Sequence, residues 1–293
     1  MSRNPAQSLV AARPDTELAV ARTDADRPRL ARRGPRSSAA RPGWVTGTAS
    51  VLIILVALEL AGRVGIFDRS RFPLVSDVLR RLASEATGSD LWTSTGQTLV
   101  QAIAGLVLGT LIAVPLGLAL GRVALLEQAF RPVIEFLRPI PSIAILPLVI
   151  FTLGVGFRAA VLLIALSSLW LVLVLTIRGA RAVDPVARDA LVAFGVPRHA
   201  LIRHLVVPSA SPFIVTGVRI AASVALVVAI TVELLGGMPG LGKQVTVSLQ
   251  GADQVGVYSY TVAAGLLGLV LNLVMVPLED RLLSWHPSRR WRA

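Results

Sequence analysis

Six apolar runs alternate with polar segments along this chain. An α-helix rises about 1.5 Å per residue, so a helix of roughly 17 to 25 apolar residues crosses a lipid bilayer. The alternation therefore predicts an all-α, polytopic membrane protein with six transmembrane helices. The predicted spans cover residues 45–61, 97–121, 139–157, 159–177, 213–235 and 254–278.

The segments that flank the spans carry most of the charge. Residues 1–43 are rich in Arg, Pro and Ser and have no apolar periodicity, which predicts a disordered cytoplasmic tail. Residues 76–85 have the apolar spacing of a short amphipathic helix, for which Ser76 is the candidate cap. Residues 139–157 contain three prolines, so the third span is expected to be kinked or partly unwound.

The composition narrows the functional class. With 54% hydrophobic and only 16% charged residues, the chain differs from a soluble domain, and its formal net charge of +12 comes almost entirely from arginine. Because the arginines lie between apolar runs, they indicate helix orientation and contact with anionic membrane lipid rather than nucleic-acid binding. Their distribution favours cytoplasmic N- and C-termini. The absence of cysteine excludes thiolate metal sites and cysteine nucleophiles.

A polar segment of residues 183–208 separates the fourth and fifth spans and is too short to form a domain of its own. Asp184 favours a helix N-terminus, as does Asp189; Gly195 permits a left-handed turn, and Pro197 can start a second helix. Such a segment is expected to pack against another molecule. Its recognisable positions are Asp189, Ala190, Leu191, Gly195, Leu205, Val207 and Pro208.

This pattern resembles the cytoplasmic signature of ABC importer permeases, which reads Glu-Ala-Ala, three residues, Gly, nine residues, Ile-x-Leu-Pro. Asp189 takes the place of the family's Glu, and Leu191 replaces its second Ala. Residues 136–141, 146–148 and 154–156 are similar to the nitrate, sulfonate and taurine class of these permeases. So is the Gly240, Leu241, Gly242 sequence that follows Glu233.

The resemblance implies a type I permease-like fold over residues 44–293, with a coupling loop at 179–211 that contacts a cytoplasmic ATPase. It further implies an importer in the bacterial inner membrane, with two permease subunits that most simply form a homodimer. Its other parts would be two ATPase subunits and an extracytoplasmic solute-binding protein. The solute would be a small anion such as an aliphatic sulfonate, taurine or nitrate. ATP hydrolysis would belong to the partner, so this chain would have no catalytic residue and no cofactor.

Polar residues inside the predicted spans are candidates for the translocation pathway. Glu233 and Arg219 are ionisable, and burying either without a partner costs about 3 kcal/mol on insertion scales. They either line the pathway or extend to the lipid headgroups at the two membrane faces. Further candidates for the pathway are Ser167, Ser168, Trp170 and Asn272. The alternative is that these side chains hold neighbouring helices together by hydrogen bonds.

Two other site types find little support. Gly237, Gly242 and Lys243 nearly form a phosphate-binding loop, but Gln244 stands where a magnesium-binding Ser or Thr is required. The three histidines lack the spacing of a metal-ligand set. The alternative function is a self-contained secondary transporter, for which Glu233 would be the coupling acid. A membrane-embedded enzyme would need a pair of reactive groups at matching depth, and the sequence offers none.

Overall fold

The structure is a computed structural model that describes residues 43–69 and 71–283. The predicted tail lies outside the described residues except for Gly43, and so does His286. The described part forms helices and contains no strand. The α-helices are α1 (Gly43–Val64), α2 (Val75–Ala86), α3 (Ser89–Arg122), α4 (Ala124–Leu137), α5 (Leu146–Leu153), α6 (Phe157–Arg181), α7 (Pro185–Ala193), α8 (Arg198–Leu201), α9 (Val207–Gly236), α10 (Leu241–Gln250) and α11 (Gln254–Leu282). A 3-10 turn covers Ser142–Ile145, and a π-helical turn covers Ile202–Val206.

Five helical segments of the described chain are long and apolar enough to cross a membrane, and a sixth is bent. The bent segment joins α4 to the 3-10 turn and α5 at an angle of 75°. This agrees with the predicted all-helical chain and with a broken third span. Residues 122–138, which lie between the second and third predicted spans, are more than a connection, because α4 occupies most of them. The break falls between Leu137 and Ser142, where Pro139 and Pro141 remove two backbone donors.

Helix α6 lies at the centre of the packed spans, and 44% of its most apolar window is buried. Small residues recur every fourth position along the facing side of α3, at 105, 109, 113, 117 and 121. A Cβ on Gly109 would lie 3.1 Å from the Ser168 Cβ, and one on Gly117 would lie 2.7 Å from the Thr176 Cβ. The row of small residues therefore lets α3 and α6 approach backbone to backbone.

The chain divides into two units at Ile53, inside α1. In the first unit, Val51, Leu52 and Ile53 are exposed, as expected of apolar side chains that meet lipid. In the second unit, α11 is equally open, since only 6% of its apolar window is buried.

The predicted cap of the short amphipathic helix was wrong. The residue that precedes α2 is Leu74, which has no capping side chain, and Ser76 lies inside the helix. Its backbone N–H and its hydroxyl both donate to the carboxylate of Glu59, at 3.1 and 2.9 Å. Arg63 also donates to this carboxylate at 2.9 Å. A carboxylate from a preceding helix thus satisfies the helix start that a local cap was expected to satisfy.

Candidate coupling segment and pathway residues

Helix α7 has defined ends inside the 183–208 segment. The Asp184 side chain accepts a hydrogen bond from Val186 N at 2.9 Å, as an N-cap residue does, and Pro185 occupies the first helical position. At the other end, Gly195 has a φ of 72°, in the left-handed region. Gly195 N donates to Val192 O at 3.0 Å and Val196 N donates to Leu191 O at 3.1 Å, the paired bonds of a Schellman motif. Both local features agree with the sequence interpretation.

Two of the signature residues anchor the segment to the spans. Leu191 and Leu205 pack, partly buried, against a cluster of buried apolar side chains. The buried members of that cluster are Ala180, Val183, Leu201 and Val206. This packing gives the physical reason for apolar side chains at positions 191 and 205.

The rest of α7 faces outward. Asp189 and Ala190 are exposed, and Asp189 lies in the second turn, too far from the N-terminus to act on the helix dipole as expected. Val186 is 74% exposed and Phe194 is 85% exposed. Large apolar side chains on a polar connection between spans favour a protein partner over bulk water.

The second half of the segment runs directly into the fifth span. The chain is helical without a break from Arg198 through the π-helical turn to Gly236. The second helix predicted after Pro197 does begin at Arg198, but it does not end before the fifth span. Pro208 at the start of α9 lacks the N–H that an α-helical bond to residue 204 needs, and its ring crowds that carbonyl. The wider π-helical turn at Ile202–Val206 accommodates the proline without ending the helix.

Glu233 lies near the end of α9 and is fully buried. Its Oε2 accepts hydrogen bonds from Thr98 Oγ1 and from Gly242 N, both at 2.9 Å. Thr98 Oγ1 in turn accepts from Leu241 N at 2.9 Å. The carboxylate and the hydroxyl together cap the start of α10, so these contacts join α3, α9 and α10. We call Thr98, Glu233, Leu241 and Gly242 the buried polar cluster.

Arg219 has a partner that the sequence did not suggest. Its Nη1 lies 2.6 Å from Glu279 Oε2 on α11, and the Glu279 side chain is 10% exposed. Glu279 follows the predicted sixth span directly, and α11 extends past it to Leu282. The helix is therefore longer than the charge-free run, which brings an acid to the depth of Arg219.

Three of the remaining pathway candidates lie within about one turn of α6, and the fourth lies on α11. Ser167 donates to the Leu163 carbonyl at 3.0 Å and contacts the Ser142 hydroxyl. Ser168 is fully buried against α3, and Trp170 is partly buried. Asn272 is exposed on α11. Their assignment to the pathway, like that of Glu233 and Arg219, stays a prediction.

Sequence reasoning did not indicate two adjoining cavities near the starts of α3 and α10. The larger has a volume of about 450 Å³ and the smaller about 240 Å³. They share the lining residues Thr93, Gln97 and Pro239. The signal that could have found them is the row of polar residues at positions 93, 97 and 101, which lie four apart and so on one side of α3.

Comparison with known proteins identifies the family. Residues 105–283 match the sequence profile of the binding-protein-dependent transport system inner membrane component. The chain is 28% identical over 196 residues to the taurine transport system permease protein of Escherichia coli, covering 67% of this chain and 71% of that protein. It is 30% identical over 239 residues to the riboflavin transport system permease protein of Chloroflexus aurantiacus, covering 82% and 89%.

The fold also has a solved counterpart. A chain of the inward-facing MetNI methionine ABC transporter superposes with a TM-score of 0.57 at 17% identity, covering 72% of this chain and 98% of that one. The matched family segment includes the whole 183–208 signature and the Glu233 to Gly242 stretch. The chain belongs to the binding-protein-dependent inner-membrane components, and it is a multi-pass permease subunit of an ABC importer rather than its ATPase.

Proposed function

We propose that this permease imports a small organic anion, an aliphatic sulfonate or taurine, and that a separate ATPase drives it through the 183–208 segment. One observation carries the coupling role. Helix α7 exposes Asp189, and the exposed Phe194 directly follows it. Leu191 of α7 packs against the same buried cluster as Leu205, which lies in the helical stretch that runs without a break into span α9. A partner that binds α7 can therefore displace α9 through this packing, since packed helices transmit displacement.

The partners follow from the family. A binding-protein-dependent importer works with an ATPase and a solute-binding protein. The segment presents an acidic group beside apolar side chains, and complementary charge in a partner groove would fix the register of docking. Two copies of this chain, two ATPase subunits and one binding protein make the assembly that we propose. The arginine-rich flanks support cytoplasmic termini.

The identity of the solute is proposed from similarity to permeases with named solutes. The similarity to a taurine permease supports a sulfonate, while the similarity to a riboflavin permease makes a larger solute the competing choice. An import direction is supported for either solute, because this chain's family depends on a binding protein that delivers the solute.

Affinity purification from a strain that co-expresses the chain with its ATPase tests the coupling role. We expect the ATPase to purify with the wild-type chain in mild detergent and to be lost with Asp189→Lys, because the charge reversal opposes docking. Asp77→Lys is the matched control, since it makes the same change at an acid of α2 whose side chain is 44% exposed and whose partner, Arg80, lies on the same helix. Equal recovery with Asp189→Lys would contradict the docking role.

Uptake by cells tests the solute. A strain that carries the full transporter should accumulate labelled taurine or butanesulfonate, and a strain without this chain should not. Accumulation of riboflavin alone would overturn the sulfonate assignment while leaving the coupling role in place.

A further inference from the structure

The two adjoining cavities at the starts of α3 and α10 differ in chemistry. Val100 and Phe157 line the larger one, and both side chains are more than half exposed. Lys243, Gln244 and Asp90 line the smaller one. Together the cavities present an apolar wall on one side and a cluster of polar and charged side chains on the other.

The polar cavity contains an available cation. Lys243 is the only lysine in the sequence, it is exposed, and within the described ranges it has no ion-pair or hydrogen-bond partner. The one acid among the lining residues, Asp90, does not approach it within ion-pair distance in that part of the chain. A cation held beside amide and hydroxyl groups suits a ligand with a compact anionic head.

A buried amide shows that the larger cavity is not simply a gap between apolar side chains. Gln101 is 3% exposed and lines this cavity. Its Nε2 donates to Pro239 O at 2.6 Å, but its Oε1 has no hydrogen-bond partner among the described residues. A buried acceptor without a partner costs free energy unless water or a ligand supplies a donor. The donor can come from water or from the ammonium group of an aminoalkanesulfonate such as taurine, because a simple alkyl chain has none.

We infer that the paired cavities form a solute-contact site for an alkanesulfonate. The sulfonate lies at Lys243 and Gln97, and the alkyl chain lies against Val100 and Phe157. Gln97 lines both cavities and so marks the point where head and chain meet. The inference rests on the proposed function, because it names the residues of this chain that distinguish a sulfonate during import.

The contacts of the sulfonate head group and those of the ligand's alkyl chain can be measured separately. Binding of ethanesulfonate, butanesulfonate and hexanesulfonate is measured by titration calorimetry on the purified permease–ATPase complex in nanodiscs without the binding protein. Affinity should rise about twofold to fourfold per added methylene, because each carbon leaves water for an apolar wall. Lys243→Gln should weaken all three by about tenfold or more, since a charge-assisted contact is lost. Lys243→Arg should retain most of the binding.

Two further variants distinguish contacts in the cavities from general effects of a substitution on the protein. Phe157→Ser should flatten the dependence on chain length while changing ethanesulfonate affinity little. Arg80→Gln removes the same charge as Lys243→Gln from a side chain that is 82% exposed on α2 and lines neither cavity, so it should change nothing.

The outcomes distinguish this inference from the proposed function. Failure of the intact transporter to take up any sulfonate overturns both. Normal uptake together with unchanged binding in Lys243→Gln, or no chain-length dependence in the wild type, overturns only the cavity assignment. Loss of head-group affinity in Lys243→Gln with loss of chain-length dependence in Phe157→Ser supports it.

Discussion

Two polar regions flank helix α9, and they use their polar groups in opposite ways. Before the helix, Asp189 of α7 and the following Phe194 are exposed, and among the described residues the side-chain hydrogen bonds of α7 are limited to the one at its Asp184 cap. Near its end, Glu233 and Thr98 are fully buried and bond to the backbone of α10. The first region leaves acidic and apolar side chains exposed for the docking that we propose, whereas the second holds three helices of the same chain together. Substitutions should therefore separate folding from coupling.

The largest effect on folding is expected from Gly242→Ala in the buried polar cluster. The added Cβ would overlap the Ile230 carbonyl oxygen and lie 2.8 Å from Leu234 N, both backbone atoms of α9 that cannot rotate away. Overpacking of this kind should cost about 3 kcal/mol or more. The fraction of monodisperse protein after detergent extraction measures the loss.

Gly237→Ala is the control for that substitution. Gly237 has a φ of 68°, and no atom lies within 4 Å of the added Cβ. Only the left-handed backbone is penalised, by about 1–2 kcal/mol. If both variants were recovered equally, close packing against α9 would not be what requires Gly242.

Thr98→Val should have an intermediate effect. Valine has nearly the same shape but leaves Leu241 N without its acceptor and removes the hydroxyl donor to Glu233. One or two unsatisfied buried groups should lower the free energy of unfolding by about 1–3 kcal/mol each. Thermal unfolding in detergent measures the change, and Thr98→Ser should restore most of it because it keeps the hydroxyl. Equal stability of the two variants would argue against the hydrogen bonds.

Phe194→Ser should have the smallest effect on stability and a large one on coupling. An exposed side chain outside the packed core contributes within about 0.5 kcal/mol, so the melting temperature should stay the same. Solute-stimulated ATP hydrolysis in proteoliposomes should nevertheless fall, because the apolar contact with the ATPase is lost. A variant that melts earlier but couples normally would reverse the roles assigned to the two regions.

The exposed region was largely readable from the sequence. The hydrogen bonds at Asp184 and at the Gly195 turn join residues two to five positions apart. Such local contacts can be predicted from the spacing of residues in the sequence. The apolar runs likewise predicted the spans, because a helix must contain a long enough apolar stretch to cross the bilayer.

The buried region was not readable in the same way. Glu233 meets Thr98, which is 135 positions earlier in the chain, and Arg219 meets Glu279, 60 positions later. No local period connects such pairs; the packing of α3, α9 and α11 brings them together. The same limit explains Ser76, whose partner Glu59 belongs to another helix.

Hydrogen–deuterium exchange of the permease, alone and with its ATPase, tests the contrast between the two regions most directly and needs no substitution. The account predicts that the ATPase slows exchange of the amides of residues 186–194 by about tenfold or more. The amides of Leu241 and Gly242, already bonded inside the chain, should exchange slowly in both states. Unchanged exchange at residues 186–194 in a complex shown to be intact would contradict the claim that the ATPase docks there.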